Sequence, residues 1–327
     1  MEHKITIAVP TSNGGKKIIN RCLSSIFSQQ YKNYQIVIHD DASNDGTAEF
    51  ITNLIKHKKN IFFIRSNKRI GLAKATNRMI EKANGKYMIL LLHDCILPSK
   101  TWLKETINQI EKNKADIATA TLYTPKEIKS KWNFWGKFDE MELTITKFLR
   151  GKNLHPSESG RMTIFRTKIF EKIRYDSSLF WFGEDTDLRL KAIKRNYKFI
   201  HLKKPIIHEH GAQNYSGKYV IERIYRSSFS SGRLWIRHGF LMSKYRNEIT
   251  KTIVYLLLLI PMIRFLSLFF ILLEALFFTG IKAFTTKEYK CLFIGIPFKI
   301  TKDLIGIFAF WKGVFVEILR KKEKEIN

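Results

Sequence analysis

The chain of 327 residues carries 57 Lys and Arg against 29 Asp and Glu, which gives a formal net charge of +28 and a pI near 9.9. Three cysteines, Cys22, Cys95 and Cys291, have neither metal-binding nor redox spacing, which fits a protein of a reducing compartment. The positive charge predicts contact with phosphorylated substrates or an anionic membrane surface. No segment is similar to an RNA- or DNA-reading module, so we expect no nucleic-acid partner.

The N-terminal region begins as a strand, a loop and a helix. Residues 5–9 are mostly β-branched and predict a buried strand that stops at Pro10 and Thr11, and residues 18–28 have the apolar spacing of a helix. This order is typical of the first repeat of an α/β sheet.

A second apolar strand, residues 35–38, runs directly into Asp40 and Asp41. Two interpretations fit charge at this place. In the first, the aspartates and the polar residues 43–47 form only a capped turn into the next helix, because Asx and Ser side chains bond nearby backbone amides. In the second, they face a ligand, since the carboxyl ends of strands in open α/β sheets normally do so.

Strands and helices continue to alternate after this turn. The spacing predicts a parallel, doubly wound sheet with right-handed crossovers. The predicted elements are a helix at about 46–58, a strand at 61–65, a helix at about 72–83, a strand at 87–92 and, much later, a strand at 197–202.

The region up to about residue 210 resembles the glycosyltransferases of family 2. The resemblance rests on six segments in the order and rough spacing of that family: VPTSNGG, VIHDDASNDGT, NKRIGLAKATN, ANGKYMILLLHDCILP, FWFGEDTDLRLKAIKRNYKFIHL and IIHEHG. It implies a GT-A fold, which is an α/β fold with a doubly wound mixed sheet, for a catalytic domain at residues 1–235. It also implies a nucleotide-sugar donor.

The same resemblance implies a donor site at the strand ends. A nucleotide sugar needs a hydrogen-bond acceptor for its base, partners for its hydroxyls and positive charge for its diphosphate. The implied residues are Pro10 and Thr11 at the base and ribose, Asp40 at the base, the loop from Asn67 to Gly71 over the nucleotide, Lys68, Arg69 and Lys74 near the phosphates, His93, and Gly160 and Arg161 at the sugar and acceptor. In a chain this basic, a solvated helix face is the commoner explanation for the three cations of the loop and the following helix.

The strand that ends at Leu92 delivers the position where the family has an Asp-x-Asp pair that holds a divalent cation against the diphosphate. Here Leu92 replaces the first aspartate, His93 stands in the middle and Asp94 is kept. Mg²⁺ and Mn²⁺ also take oxygen ligands from phosphate and water, so one protein carboxylate can be enough. We therefore expect a divalent cation at Asp94. The family's late histidine, which reaches the metal or the diphosphate, matches either His208 or His210.

Glu184, Asp185 and Asp187 precede a predicted helix in the segment GEDTDLRL. The helix dipole and capping explain part of this acidic cluster. By resemblance to the family's Glu-Asp motif, Asp185 is the general base that takes the proton of the acceptor hydroxyl, and Glu184 orients the acceptor. Crowded carboxylates also raise each other's pKa, which suits a base.

From about residue 236 the strand pattern stops and apolar segments follow. Residues 253–281 would form a helix of roughly 42 Å, longer than the ~30 Å hydrocarbon core of a bilayer. Pro261, Arg264 and Glu274 oppose a simple span, so the stretch can also divide into two pieces that lie in the interface or form a re-entrant hairpin.

A further segment, residues 293–319, is amphipathic and leads into a basic tail suited to anionic lipid. Its predicted polar face consists of Lys299, Lys302, Asp303, Gly306, Ala309, Gly313 and Glu317, and its apolar face of Ile300, Leu304, Phe308, Trp311 and Phe315. We therefore predict a helical membrane-associated region at residues 236–327. The alternative is a soluble helical subdomain packed on the catalytic core.

These observations predict an inverting glycosyltransferase that adds a sugar to a hydroxyl of a lipid-linked or cell-surface glycan acceptor. The segment YRSSFSSGRLWIRHG and the apolar helices after it resemble family members that extend polysaccharide or glycolipid precursors, rhamnosyltransferase-like enzymes among them. Two alternatives stay open: a polyprenyl-phosphate sugar synthase, and a non-catalytic nucleotide-sugar-binding membrane protein, for which Leu92 is the argument. No signal peptide precedes the first strand, so we expect the catalytic domain at the cytoplasmic face of the cell membrane.

Overall fold

The computed structural model describes residues 3–137, 139, 160–180, 182–209, 211–239, 244–286 and 289–326. The chain divides into two compact units, the first comprising residues 1–130 and 152–211 and the second residues 131–151 and 212–327. The composition of the chain changes at about residue 236, whereas the change in packing comes after Gly211. The reason is that the long helix Gly217–His238 packs with the C-terminal helices.

The first unit alternates strands and helices, as the sequence predicts. Its elements are β1 (Ile5–Thr11), α1 (Lys16–Phe27), β2 (Tyr34–Asp40), α2 (Thr47–Ile55), β3 (Ile61–Arg65), α3 (Leu72–Glu81), β4 (Tyr87–Leu91), β5 (Cys95–Ile96), α4 (Trp102–Lys112), β6 (Ile117–Tyr123), α5 (Lys126–Lys129), β7 (Met162–Arg166), α6 (Glu184–Lys194) and β8 (Phe199–His208). The predicted elements occur with shifted ends, and β5, α4, β6, α5 and β7 were not predicted.

The strands form one eight-stranded sheet in the order β3-β2-β1-β4-β7-β6-β8-β5. The first four strands of this order are parallel, which confirms the parallel sheet predicted for the N-terminal region. Strand β7 is antiparallel to both β4 and β6, and β5 is antiparallel to β8, so the sheet as a whole is mixed.

Apolar side chains alternate along the strands and pack against helices on both faces of the sheet, which makes the sheet doubly wound. One face packs Ile7, Val9, Ile36, Ile38 and Ile89 against Ile19, Leu23, Trp102 and Ile107 of α1 and α4. The other packs Ala8, Val37, Met88, Leu90 and Phe165 against Ala73, Met79 and Leu188 of α3 and α6. Burial on both faces holds the strands rigid, so the residues that follow their carboxyl ends keep fixed positions.

The antiparallel strand β7 brings a distant segment to the end of β4. The backbone N–H of Leu92 donates to the carbonyl of Arg161 at 2.9 Å, continuing the ladder between β4 and β7. Cys95 of β5 is the register partner of His208 of β8. Asp94 therefore stands between two segments that are more than sixty residues away along the chain.

The second unit consists mainly of long helices: α7 (Gly217–His238), α8 (Lys244–Leu256), α9 (Arg264–Thr286) and α10 (Lys290–Ile326). Helix α8 and a short 3₁₀ turn end before Pro261, and α9 starts at Arg264. The helix thus breaks at 261–264, as in the second of the two alternatives that the sequence left open for residues 253–281. Within the described residues, one segment, Arg264–Ile281, is long and apolar enough to cross a membrane, with a mean hydropathy of 1.9.

Glycines and ion pairs join α10 to the other helices of the second unit. A side chain at Gly232 of α7 would overlap the backbone of Phe310, and one at Gly313 of α10 would overlap the backbone of Phe229, so these two helices approach closely. The ion pairs that hold the helices together are Arg233 with Glu317 at 2.9 Å, Arg237 with Glu317 at 2.8 Å, Lys251 with Asp303 at 3.0 Å and Lys299 with Glu274 at 3.2 Å.

Helix α10 is amphipathic, as predicted, but its two faces are oriented opposite to the usual arrangement in water. The polar and small residues of the predicted polar face, among them Lys299, Asp303, Ala309 and Glu317, are buried against the neighbouring helices. The apolar residues of the opposite face are exposed, and they include Leu304, Phe308, Trp311 and Phe315. The polar face is turned inward because its charged side chains find their partners on α7, α8 and α9.

Candidate active site

The carboxyl ends of β1 and β2 hold Thr11 and Asp40 side by side, as register partners. Asp40 is fully buried and accepts hydrogen bonds from the backbone N–H of Ser43, at 3.1 Å, and from the Ser43 hydroxyl. The Arg65 guanidinium lies 3.6 Å from the same carboxylate. These contacts agree with a capped turn, and the contact of Asp40 with a base stays a prediction.

The neighbouring Asp41 positions the loop that was predicted to cover the nucleotide. Its carboxylate accepts hydrogen bonds from the backbone N–H groups of Ile70, at 2.7 Å, and Gly71, at 2.9 Å. Gly71 has φ +82°, and a side chain there would come within 2.8 Å of the Phe180 ring, so the loop requires glycine. Sequence reasoning gave Asp41 no role of its own, although the paired aspartates were the signal. The side chains of Asn67, Lys68, Arg69 and Lys74 are exposed.

Gly14 lies against Thr11 and His93 at the end of β1. A side chain at Gly14 would come within 2.7 Å of both the Thr11 hydroxyl and the His93 ring, so this close approach requires glycine. The buried Thr11 hydroxyl makes no hydrogen bond within the part of the chain that the structure describes. Burial, only partly opposed by the Asp94 charge, lowers the pKa of His93, and its ring bonds the carbonyl of Pro10. A neutral imidazole and a hydroxyl without a hydrogen bond to the described residues thus lie together beside Gly14.

Asp94 is buried and bonded to two partners. One carboxylate oxygen, Oδ2, accepts a hydrogen bond from the Arg161 guanidinium at 2.6 Å and lies 3.1 Å from Nε2 of His208. Burial by itself would raise the pKa of Asp94, but the His208 bond and the Arg161 charge outweigh it and hold the pKa well below its usual range. Asp94 is therefore ionised at neutral pH. His210, the other predicted histidine, lies outside the described residues.

The donors around Asp94 fit a divalent cation only in part. Asp94 Oδ2 and His208 Nε2 lie 3.1 Å apart, close enough for both to ligate one metal ion in place of their mutual hydrogen bond. The described residues contain no group of three or more His, Cys, Asp or Glu side chains that could hold a metal ion, and Leu92 cannot ligate. A cation here would depend on oxygens of a bound diphosphate and of water to complete its coordination.

Gly160 brings Asp185 next to the Arg161 segment. A side chain at residue 160 would overlap the Asp185 carboxylate, so only glycine permits this approach. Asp185 Oδ1 accepts the backbone N–H of Thr186 at 2.6 Å, which fixes the carboxylate, while Oδ2 faces Gly160. Asp185 and Gly160 also line a small cavity of about 30 Å³, together with Thr119, Thr163 and Arg189. The space is about that of one water molecule.

Glu184 differs from Asp185 in its surroundings. It is buried, and its Oε2 makes no hydrogen bond within the described residues. Burial first, and the nearby Asp185 charge second, raise the pKa of Glu184 to about 8. The rise in pKa that was predicted for crowded carboxylates thus occurs at Glu184, which is protonated at neutral pH and able to donate a hydrogen bond.

The third acidic residue, Asp187, has a structural role. It is buried and pairs with Lys191 one turn later on α6, at 2.6 Å. The helix itself begins after Gly183, which has φ +90°. The interpretation of the acidic cluster as a helix N-terminus therefore holds for Asp187, while Glu184 and Asp185 lie at its open end.

Comparison with known proteins shows which family and which proteins this chain is similar to. Residues 6–174 match the profile of Glycosyl transferase family 2, which is more than half of the chain. The chain is 24% identical to Glycosyltransferase GlyA of Streptococcus pneumoniae over 218 residues, 63% of this chain and 30% of that protein. It is 26% identical to the GalNAc(5)-diNAcBac-PP-undecaprenol beta-1,3-glucosyltransferase of Campylobacter jejuni over 202 residues, 61% of this chain and 62% of that protein. The matches thus span less than two thirds of these relatives.

A solved structure shows the same fold. The mannosyltransferase PcManGT of Pyrobaculum calidifontis, in complex with GDP-Man and Mn²⁺, matches with a TM-score of 0.61 at 16% sequence identity. The match covers 94% of this chain and 88% of that one. The mixed α/β sheet is therefore a GT-A sheet, as the sequence predicts.

The raised pKa of Glu184 predicts a pH-dependent stability. The unfolded chain releases this proton near pH 4.5, whereas the folded protein keeps it up to about pH 8. The free energy of unfolding of the wild type should therefore fall relative to Glu184→Gln as the pH rises from 4.5 to 8, by on the order of a few kcal/mol, and the difference should then stay constant. Urea unfolding at several pH values measures this difference. Parallel pH profiles for the two proteins would contradict the burial of an unpaired carboxyl.

Proposed function

Because the chain belongs to glycosyl transferase family 2, and is a glycosyltransferase with a GT-A fold, we propose that it is an inverting enzyme of lipid-linked or cell-surface glycan synthesis. It moves a sugar from a nucleotide-sugar donor to an acceptor hydroxyl. The observation that carries the proposal is that residues 160 and 161 lie between Asp185 and Asp94. Gly160 touches the Asp185 carboxylate and Arg161 bonds Asp94, so a base and a diphosphate-binding group flank one short segment.

In the proposed reaction Asp185 is the general base. Its Oδ2 accepts the proton of the acceptor hydroxyl while the hydroxyl oxygen bonds to the anomeric carbon of the donor. The bond from that carbon to the diphosphate breaks on the opposite face, and the electron pair leaves with the nucleoside diphosphate. Thr186 holds Asp185 through Oδ1, which leaves Oδ2 for the proton. Protonated Glu184 donates a hydrogen bond that orients the acceptor.

The donor lies along the carboxyl ends of β1, β2 and β4. The free Thr11 hydroxyl contacts the ribose, and the loop fastened by Asp41 covers the nucleotide. Neutral His93 lies beside Thr11 without adding charge. This assignment is supported by the polar groups that meet at Gly14 and by the family of the chain.

A divalent cation, Mg²⁺ or Mn²⁺, takes part in donor binding. Asp94 and His208 are the residues that would hold it, with diphosphate oxygens as further ligands. The cation would supply positive charge that stabilises the departing diphosphate. The relative PcManGT contains Mn²⁺ together with GDP-Man, which supports the proposal.

The second unit attaches the enzyme to the cytoplasmic face of the cell membrane. Its exposed apolar residues are far more numerous than scattered surface residues of a soluble protein, and many are Phe, such as Phe269, Phe308 and Phe315. Its buried charges pair with one another and its glycines sit at helix crossings, which is how helices pack in lipid. The formal charge of +28 favours anionic lipid. Attachment would bring a lipid-linked acceptor near the enzyme.

We predict that Asp185→Asn abolishes transfer and leaves nucleotide binding nearly unchanged, because the amide keeps the shape but cannot take the proton. We expect kcat to fall by about 10² to 10⁴. Product formation and nucleotide binding by calorimetry measure the two effects. Asp176→Asn, in a turn of the same unit, is the control and should keep wild-type turnover. A variant with more than a tenth of wild-type turnover would rule out this base, and an acceptor phosphate, which needs none, would then be favoured.

We predict that saturating EDTA abolishes transfer and that added Mn²⁺ or Mg²⁺ restores it. Asp94→Ala should raise the Mn²⁺ concentration needed for half-maximal transfer by at least about tenfold, since Leu92 offers no second carboxylate. Initial rates at graded metal concentrations measure both effects. If transfer survives chelation, the metal assignment is wrong and the cationic side chains alone hold the diphosphate.

We predict that the protein binds vesicles of anionic lipid through the second unit. Replacing Phe269, Phe308 and Phe315 together by Lys should lower vesicle binding at least about tenfold, because each lysine costs about 3 kcal/mol deep in a bilayer. Flotation with vesicles measures the bound fraction. Phe62→Lys is the matched control, because Phe62 is an exposed phenylalanine of the first unit. A full-length protein that stays soluble and monomeric without detergent, with full activity on a water-soluble acceptor, would favour a packed helical subdomain instead.

A further inference from the structure

The ion pair between Arg161 and Asp94 occupies the oxygen that a metal ion would use. The guanidinium lies 2.6 Å from Asp94 Oδ2, the same atom that faces His208. A cation bound at this oxygen and the Arg161 guanidinium therefore compete for one carboxylate.

The charges at this position favour such a competition. Leu92 leaves Asp94 as the one carboxylate at the end of β4, and Arg161 already balances its charge. A divalent cation added to this balanced pair brings two uncompensated positive charges into a buried place, which is unfavourable. A diphosphate restores the balance, because its negative charge can accept both the metal and a released guanidinium.

Arg161 can move between these two partners without a change in the sheet. Its backbone is fixed, because its carbonyl accepts the N–H of Leu92 at 2.9 Å. Its side chain is 34% exposed, whereas that of Asp94 is 12% exposed. The preceding residue, Gly160, contacts Asp185. The side chain of Arg161 therefore begins between the proposed general base, Asp185, and the proposed metal ligand, Asp94.

We infer that Arg161 is an exchangeable counter-ion, which pairs with Asp94 in the free protein and transfers to the donor diphosphate when the metal takes Asp94. This inference rests on the proposed function. It makes metal and donor binding cooperative, because neither ligand alone can both release Arg161 and give it a new partner. It also gives this chain a way to work with one metal-binding aspartate.

The test measures two affinities in wild type, Arg161→Ala and Arg161→Lys. The first is Mn²⁺ binding in the absence of nucleotide, followed by the spin resonance of free Mn²⁺. The second is the binding of UDP or GDP, whichever the wild type binds, at saturating Mn²⁺, followed by calorimetry. In Arg161→Ala we expect Mn²⁺ to bind at least about fivefold tighter and the nucleotide at least about fivefold weaker, the size of one charge-assisted hydrogen bond. Arg161→Lys keeps the charge and should shift both in the same directions by less.

These opposite shifts separate exchange from a structural role. If Arg161 only props Asp94 in place, Mn²⁺ and nucleotide will both bind more weakly to Arg161→Ala, and the inference is overturned. It is also overturned if Mn²⁺ affinity is unchanged. Arg166→Ala is the matched control, because Arg166 lies at the other end of β7, the strand that begins directly after Arg161, and pairs with Asp116 at 3.6 Å, away from Asp94. If Arg161→Ala fails to fold, the same two affinities are compared in Arg161→Lys. Tighter Mn²⁺ binding with weaker nucleotide binding supports the exchange, and any other result overturns it.

Failure of the inference differs from failure of the proposed function. Slow hydrolysis of nucleotide sugars by the wild type tests the proposed function independently. If no nucleotide sugar is bound or hydrolysed, the proposed function fails, and an unchanged Mn²⁺ affinity in Arg161→Ala still overturns the exchange.

Discussion

The burial of the Asp94 carboxylate is the constraint on which the candidate site depends. A carboxylate at the end of a buried strand is stable only with opposite charge and hydrogen bonds around it, and here Arg161 and His208 supply them. Both partners lie beyond β4 in the sequence, Arg161 directly before β7 and His208 at the end of β8. The antiparallel insertion of β7 and the pairing of β8 with β5 are therefore what allow this carboxylate to remain charged inside the protein.

The insertion of β7 also connects the two acidic parts of the site, Asp94 and Asp185. The residues just before β7 touch Asp185 through Gly160 and Asp94 through Arg161. The two adjacent acidic residues of α6 then differ by environment. Glu184 is buried and its Oε2 has no partner among the described residues, while Asp185 is held by Thr186 and lines a cavity. Burial raises the pKa of Glu184 and favours its protonated form, next to a carboxylate that a backbone hydrogen bond holds in place.

The second unit follows a different physical rule. Its buried positions include Asp303, Glu317 and Lys299, which are satisfied by partners on neighbouring helices, and its outward positions are mainly Phe, Leu and Ile. In water such an arrangement is unfavourable, because it leaves a large apolar surface hydrated. In hydrocarbon the same arrangement is favourable, since charges are shielded inside and backbones approach at Gly232 and Gly313.

The sequence by itself determined the local elements and the family. Strand and helix periodicity identified β1 to β4 and α1 to α3, and six short motifs identified the GT-A fold, because these signals are carried by residues near one another in the chain. It also singled out Thr11, Asp94, Glu184 and Asp185 as candidate site residues, whose chemical roles stay predictions. It did not identify the loop-holding role of Asp41, since hydrogen bonds to Ile70 and Gly71 form only after β2 and the loop are brought together.

Only the tertiary structure decided which charges meet. The sequence placed Arg161 near a sugar and read Lys299, Asp303 and Glu317 as a polar helix face, but the fold pairs Arg161 with Asp94 and turns that helix face inward. Hydrophobic periodicity records which face of an element differs from the other. It does not record whether water, lipid or another charged side chain lies opposite, because that depends on the partners that distant segments bring.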